Sequence, residues 1–443
     1  MNINANPYHS DYAEDVRRAP FAGRQAAFGR LYAHITDPLR QGALVFLGGR
    51  RMGKTALLHA AAGVFKETAV GVYLPLRDVP MNGDWMLALA EAATLETARR
   101  GHSISRVNDL QPPEDPSASG VMRWFSERFL PALLSGLRGT GRQIVFMLDD
   151  ADRLNAAVQS GALPADTFGC LNDLLPHAVI ALTLDAEREA DLMQMGPLVT
   201  LNNVVRLQQL EPDETKWLLQ EPPRGLYAVP DESAAAIHKA TGGAPGLAQH
   251  FGYQLFRRWE IAPELNVVTL DDVKATMPLV YEYAAPDYRM VWSKLTVYER
   301  LVLNAIGGIL RDDPIRHISA PVIENWLVDT DTPMDVTAIN AATRGLEYRE
   351  ILQMGANGLE IKAGLMQTWL LDNARSDEQL GASYRAGLST SQIPPGRIRV
   401  TRPMLAAAVL IVLVALAIAA ITLTNAAQNP PVVPPTVTLS GAP

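Results

Sequence analysis

The sequence predicts an α/β fold in which a mainly parallel sheet carries helices on both faces. Short apolar runs alternate along the first half of the chain with segments whose apolar residues recur at helical spacing. The strand-like runs are 43–48, 69–75, 143–148, 178–182 and 204–207. Parallel strands need helical crossovers, so the alternation indicates a three-layer arrangement that binds ligands at the carboxyl ends of its strands.

The length and composition of the chain limit the number of domains and the class of protein that we expect. A chain of 443 residues is too long for one core, so we expect two or three domains. The net charge of −8 argues against a protein that coats nucleic acid, although a local basic patch stays open. The single cysteine, Cys170, cannot form an internal disulfide and is expected in a core. The N-terminus has no apolar stretch typical of a signal peptide.

The first strand runs into Gly-x-x-x-x-Gly-Lys-Thr at 48–55, and a helical pattern follows. This is the setting that a phosphate-binding loop requires. Its glycines let successive N–H groups point at an anion, and the start of the helix adds its positive end. Lys54 would reach the β- and γ-phosphates of ATP, and the Thr55 hydroxyl would coordinate Mg²⁺. The predicted nucleotide-binding residues of this loop are Gly48, Gly49, Arg50, Arg51, Met52, Gly53, Lys54, Thr55 and Ala56.

Two acids end the strand at 143–148, and a polar residue ends the run at 178–182. Asp149 would hold Mg²⁺ directly or through water, while Asp150 would orient and deprotonate the attacking water. Thr183 has two interpretations, since it could hydrogen-bond the γ-phosphate or the water, or could simply be a β-branched strand residue. The sequence therefore predicts Lys54, Asp149, Asp150 and Thr183 as catalytic residues, with Thr55 and Asp149 holding the metal.

From about residue 212 the pattern is helical, with helices at 214–220, 231–240 and 247–259 around a Gly-Gly-Ala-Pro turn. Three short helical segments and a hairpin between 296 and 361 then indicate a winged helix. Its basic residues Arg344 and Arg349 are offset by nearby acids. We therefore expect a regulatory or protein-contact module rather than a DNA reader.

An uncharged run at 404–424 follows Arg397, Arg399 and Arg402. As a helix it would be about 31 Å long, which matches the ~30 Å hydrocarbon core of a bilayer. We predict a single transmembrane helix at 403–424. Because the arginines precede the helix and no Lys or Arg follows it, the rest of the chain is expected in the cytoplasm, at the inner membrane, with a disordered tail outside.

Four ordered motifs together resemble the STAND class of signalling ATPases and their AAA-like relatives, the archaeal and origin-recognition ATPases. They are Phe21-Ala-Gly-Arg24, the loop at 48–55, Met147-Leu-Asp-Asp150 and Gly242-Gly-Ala-Pro245. The resemblance covers about residues 20–260. It implies that Arg24 and Pro245 contact the nucleotide, the latter from a helical lid.

Two departures from that family pattern bear on turnover. Asp150 stands where many AAA proteins carry Glu, and no arginine finger can be nominated; Arg50 and Arg51 are expected to form salt bridges or contacts beside the loop. Slow hydrolysis, with a long-lived bound state, would suit both departures.

The expected domains are an N-terminal segment (1–20), an ATPase core (21–211), a helical lid (212–270), a winged-helix-like domain (271–372), a linker (373–402), the transmembrane helix (403–424) and a Pro-rich tail (425–443). The expected function is a membrane-anchored ATP-dependent switch or assembly scaffold, either a slow Mg²⁺-dependent ATPase or a binding-only scaffold. Its expected partners are the nucleotide, the membrane and either further copies of the chain or another protein. The alternatives are a membrane-tethered DNA-binding regulator and an ATPase that energises an envelope secretion system.

Overall fold

A computed structural model describes residues 6–8, 20–108, 110–111, 113–264, 266–330, 332–356 and 358–373. Within these ranges no helix is both long enough and apolar enough to cross a membrane. The predicted transmembrane helix at 403–424 and the tail at 425–443 lie outside the described residues, as do nearly all of the linker and most of the N-terminal segment.

The core of the structure is a five-stranded sheet in which every pairing is parallel. Its strands are β1 (Ala43–Gly48), β2 (Ala69–Pro75), β3 (Gln143–Asp149), β4 (Val179–Asp185) and β5 (Val199–Arg206). Their order is β2-β3-β4-β1-β5. The strands with near-continuous apolar sequences are buried on both faces, as helix-covered parallel strands must be.

Helices cover both faces of this sheet, as the sequence predicts. They are α1 (Gln25–Thr36), α2 (Lys54–Val64), α3 (Asp84–Arg99), α4 (Ser105–Asn108), α5 (Ala118–Trp124), α6 (Leu130–Gly136), α7 (Asp152–Gln159) and α8 (Thr167–Asn172). Alternate strand side chains enter separate cores. Phe46 packs in the core formed with α1 and α2, whereas Val45 and Leu47 pack in the core formed with α3, α5 and α6.

Three local features depart from the regular helices and strands of the predicted alternation. A π-helical turn, Phe125–Phe129, lies between α5 and α6. A 3-10 segment, Ala186–Leu198, follows β4 and is broken at Gly196, whose φ of 55° suits glycine. The last strand begins at 199 rather than 204, and it alternates less clearly because it is a half-exposed edge strand.

The segment predicted as a helical lid contains α9 (Pro212–Gln220), α10 (Asp231–Thr241) and α11 (Pro245–Ile261), and a long helix, α12 (Leu270–Lys294), packs against α11. α12 was not predicted from the sequence, because it contains Pro278 and Pro286, which normally interrupt helices. A capping box made by Thr269 and Asp272 fixes the start of α12. Near the N-terminus, the buried Tyr8 donates a hydrogen bond to the Leu218 carbonyl (3.1 Å), so this short segment packs on the lid.

Three helices and an antiparallel hairpin follow, which are the elements expected of a winged helix. They are α13 (Val297–Asp312), α14 (Ala320–Asp329), α15 (Val336–Tyr348), β6 (Leu352–Gly355) and β7 (Gly358–Ile361), and α16 (Gly364–Asn373) closes the module.

Candidate nucleotide-binding site

The loop between β1 and α2 forms a cradle made of backbone. Gly48 ends β1, and Gly53 precedes α2 with a φ of 81°, a conformation that side chains with a Cβ seldom adopt. A Cβ at Gly48 would lie 3.3 Å from the Leu207 Cβ and 3.4 Å from the Met52 Cβ, so a side chain there would require these neighbours to shift by a few tenths of an ångström. The α2 ladder begins with the Leu57 N–H donating to the Gly53 carbonyl at 2.9 Å. The amino end of α2 therefore opens directly on the loop.

Lys54 folds back over this cradle. Its Nζ donates to the Gly48 carbonyl at 2.7 Å and to the Gly49 carbonyl at 2.9 Å. These contacts use two of the three ammonium donors and hold the positive charge at the mouth of the loop. A phosphate at this mouth would meet an ammonium and the helix start together, which is the electrostatic requirement for binding a polyphosphate.

Three hydroxyl groups converge on Asp149, the last residue of β3. Thr55 donates to Asp149 Oδ2 at 2.6 Å, Tyr73 donates to the same oxygen at 3.0 Å, and Thr183 donates to Oδ1. The carboxylate is fully buried, and these donors make its burial tolerable. The structure thus brings together Thr55, Asp149 and Thr183, which the sequence predicted. Tyr73 was not predicted as a site residue, and its signal in the sequence was a polar group within the apolar run predicted as a strand at 69–75.

Asp150 follows β3 in the left-handed region, with a φ of 58°. Its N–H donates to the Thr183 Oγ1 at 3.0 Å, so the threonine hydroxyl is shared between the two acids. Thr183 is fully buried, and its hydroxyl is hydrogen-bonded to both acids. The Arg77 guanidinium lies 3.8 Å from the Asp150 carboxylate. Burial, and then the neighbouring Asp149, raise the pKa of Asp150 above its ordinary value, which suits a proton acceptor.

Arg24 and Pro245, which the family resemblance implies as nucleotide contacts, lie next to the loop. Arg24 Nη2 donates to the Met52 carbonyl at 2.9 Å and Nη1 donates to the Gln208 carbonyl at 2.5 Å. Pro245 is the first residue of α11, and the next N–H, that of Gly246, donates to the Arg51 carbonyl at 3.2 Å. Arg24 and Pro245 therefore border the loop, and α11 is in direct contact with the loop backbone.

Arg50 and Arg51 pair with an acid on α12, in line with the expectation that they form salt bridges. Asp287 lies 2.8 Å from Arg51 and 3.5 Å from Arg50. The Arg51 guanidinium also lies over the Tyr283 ring, 3.9 Å from its centroid, and the His250 ring stacks on Tyr283 at 3.8 Å. Burial, and then Arg51, lower the pKa of His250 to about 4. This cluster was not predicted from the sequence, because its members are far apart in the chain.

A cavity of about 600 Å³ lies beside the loop, and its volume is within the usual size range of ligand pockets. The cavity is lined by residues 48–52, the carboxyl ends of β4 and β5, and α12. The winged module, which comprises α13, α14, α15, α16, β6 and β7, also lines it. Side chains cross-link its walls: Arg206 contacts Glu189 and Tyr348, and Lys294 contacts Glu187. The winged module thus contacts the core on the side of the loop that faces the cavity.

The residues present fit ATP and Mg²⁺. The cradle offers backbone amides and an ammonium for phosphates, and Thr55 with Asp149 offers the hard oxygen donors that Mg²⁺ prefers. Across the described ranges no group of three or more His, Cys, Asp or Glu side chains could hold a metal by itself. Mg²⁺ commonly takes one or two protein ligands together with substrate phosphates, so a two-residue set is sufficient.

Comparison with solved structures gave several matches. The Walker-type ATPase PABY2304 of Pyrococcus abyssi matches with a TM-score of 0.52 and 17% identity, over 81% of this chain and 99% of that chain. Cdc6p of Pyrobaculum aerophilum matches at 0.38 and 17% identity, over 85% and 97%. The Thermotoga maritima RuvB branch-migration motor matches at 0.37 and 14%, over 77% and 92%. No protein-family model and no curated sequence matched. The first of these likenesses shows that the chain has the fold of a Walker-type, P-loop ATPase.

Proposed function

We propose that the protein binds ATP with Mg²⁺ and acts as a nucleotide-controlled switch or assembly scaffold with slow hydrolysis. The observation that carries the proposal is the arrangement of the loop: Lys54 covers the glycine cradle, and Thr55 contacts the buried Asp149 across the sheet. When bound, Mg²⁺ would neutralise phosphate charge during phosphoryl transfer.

The chain's own residues would divide the work as follows. Lys54 and the loop amides would bind the phosphates, and Thr55 and Asp149 would hold the metal. Asp150 would orient a water molecule and accept its proton, and Thr183 would keep the two acids in place. This assignment uses the hydrogen bonds around Asp149 and the raised pKa of Asp150.

The switch function is supported by the contacts between the loop and the helical region. The Gly246 N–H bonds to the Arg51 carbonyl, and Asp287 of α12 pairs with the Arg51 side chain. A change in the backbone of the loop on nucleotide binding would therefore be transmitted to both α11 and α12. Such coupling requires that the contacts of Arg51 with Gly246 and Asp287 differ between the nucleotide-bound and nucleotide-free states, since a ligand shifts an equilibrium only when it interacts differently with the two states.

Sizing of a fragment of residues 1–395 with ATP, with ADP and without nucleotide tests the switch. We expect ATP to change the oligomeric state or the hydrodynamic radius relative to ADP. Identical elution in all three conditions would contradict a switch, and a hydrolysis assay on the same fragment separates a slow ATPase from a scaffold that only binds.

Membrane anchoring through 403–424 is a further part of the proposal, and it is supported by the apolar run and the three preceding arginines. The full chain should remain with the inner-membrane fraction after alkaline carbonate extraction, and a chain truncated after residue 395 should be released. Release of the full chain would refute the anchor.

DNA binding by the winged module is the less favoured alternative. Arg349 on this module pairs with the buried Glu299 at 3.3 Å, and Glu350 lies 3.5 Å from Lys362. Side chains neutralised in this way contribute little to phosphate binding. A gel-shift series over increasing salt tests the alternative, because phosphate-driven binding must weaken steeply with salt.

A further inference from the structure

The carboxylate of Asp149 has most of its acceptor positions filled by hydroxyl groups. A carboxylate offers about four lone-pair sites on its two oxygens. Thr183 takes one site on Oδ1, while Thr55 and Tyr73 share Oδ2 at 2.6 and 3.0 Å. About one site is therefore left for a cation or for water in its hydration shell.

Tyr73 is fixed in this position from two sides. Its strand pairs with β3, so that Tyr73 lies beside Met147 and Pro75 beside Asp149. Its ring packs on the His59 ring of α2 with centroids 4.0 Å apart. The rigid ring holds the hydroxyl on Oδ2 more firmly than a freely rotating side chain would.

We propose that Tyr73 is a positioning residue for cation selectivity, which keeps Asp149 from chelating a cation with both oxygens and so favours Mg²⁺ over Ca²⁺. Mg²⁺ keeps several of its waters and is held by one or two carboxylates, whereas Ca²⁺ takes six to eight oxygens and often a bidentate carboxylate. An Asp149 with one open acceptor position suits the first cation. This inference rests on the proposed function, because the cation is the one that accompanies ATP.

The test is Tyr73→Phe in the full chain, which removes the hydroxyl and keeps the ring against His59. A fluorescent ATP analogue is titrated in EDTA, and Mg²⁺ or Ca²⁺ is then titrated into the complex. We expect the affinity in EDTA to stay within about twofold and the Mg²⁺ midpoint to rise about 10-fold, the lower end of the range for partners of metal ligands. The Ca²⁺ midpoint should fall or stay unchanged, so that the preference for Mg²⁺ shrinks by at least about 10-fold.

Tyr281→Phe is the matched control, since it also removes a tyrosine hydroxyl from a carboxylate, Asp372, at 2.9 Å, and does so away from the loop. It should leave both cation midpoints unchanged. If Tyr73→Phe binds nucleotide like the wild type and its Mg²⁺ and Ca²⁺ midpoints are unchanged, the inference is overturned and the proposed function stays intact. If Tyr73→Phe loses as much nucleotide affinity in EDTA as it loses in Mg²⁺, the inference is also overturned, because Tyr73 would then support the loop itself. A wild-type chain that binds no nucleotide overturns the proposed function, and this inference with it.

Discussion

Breaking the contact between Arg51 and Asp287 tests how α12 would respond to the phosphate loop. The two charged groups are 2.8 Å apart, and each side chain is about one-fifth exposed, 20% and 18%. A hydrogen bond between charged groups contributes about 1.5–3 kcal/mol, and partial exposure to water favours the lower half of that range. Arg50 adds little, because it is 3.5 Å away and 61% exposed. We therefore expect a coupling of about 2 kcal/mol between Arg51 and Asp287.

Native-state hydrogen exchange of α12 measures this coupling, since it reports local opening in a chain of several domains. Asp287→Ala should speed exchange of the amides near residue 287 by about 30-fold, the equivalent of 2 kcal/mol. Arg51→Ala should have a smaller effect in this variant than in the wild type, because the contact with Asp287 is already lost and only the contacts with Tyr283 remain to be removed. The exposed pair Arg224–Glu221 provides the control cycle and should couple by less than about 0.5 kcal/mol. Additive effects of Arg51→Ala and Asp287→Ala would refute the link between the loop and α12.

Three further predictions concern the acids and the lid. Asp150→Asn should still bind ATP, while its turnover falls by about 10²–10⁴-fold in a phosphate-release assay. In the wild type, turnover should decline on acidification at a pH above the ordinary aspartate pKa of about 4, because burial and Asp149 raise the pKa of Asp150. Equal turnover would remove its role as the base. Thr183→Val should lower the free energy of unfolding by about 1–3 kcal/mol, since it removes the hydroxyl shared by both acids. An unchanged thermal melt would contradict that role. Burial and Arg51 lower the pKa of His250 to about 4. The free energy of unfolding should therefore decrease by about 3 kcal/mol as the pH falls from 6.5 to 4, because the unfolded chain binds a proton that the folded protein does not. Thermal melts over this pH range should show a weaker pH dependence for His250→Phe. A wild-type protein equally stable at both pH values would contradict the buried neutral state.

The loop and the acids were predictable because their chemistry is local in sequence. Glycine spacing between a strand and a helix defines the phosphate cradle, and Asp149 and Asp150 follow an apolar strand. The parallel sheet then brings these separate strand ends to one edge, which is a general property of such sheets. Thr183 could be placed there for the same reason, although its role as a shared hydrogen-bond partner required the structure.

The surrounding contacts were not predictable from local pattern. Tyr73 reaches Asp149 across 76 residues of sequence, and Arg51 reaches the Tyr283 carbonyl across 232. Such pairs depend on how strands and helices pack, which residue spacing alone does not encode. The helix that carries Asp287 was hidden by its two internal prolines, whose effect on local propensity is overcome by packing against α11 and its neighbours.

ATP affinity measured by calorimetry in wild type and in Lys54→Ala tests the central claim most directly. Loss of the ammonium should weaken ATP binding on the order of 100-fold, because a charge-assisted hydrogen bond contributes up to about 3 kcal/mol. Lys66→Ala, which removes an exposed lysine beyond the end of α2, is the matched control and should bind like the wild type. Equal ATP affinity in Lys54→Ala and the wild type would contradict the assignment of this loop as the nucleotide site.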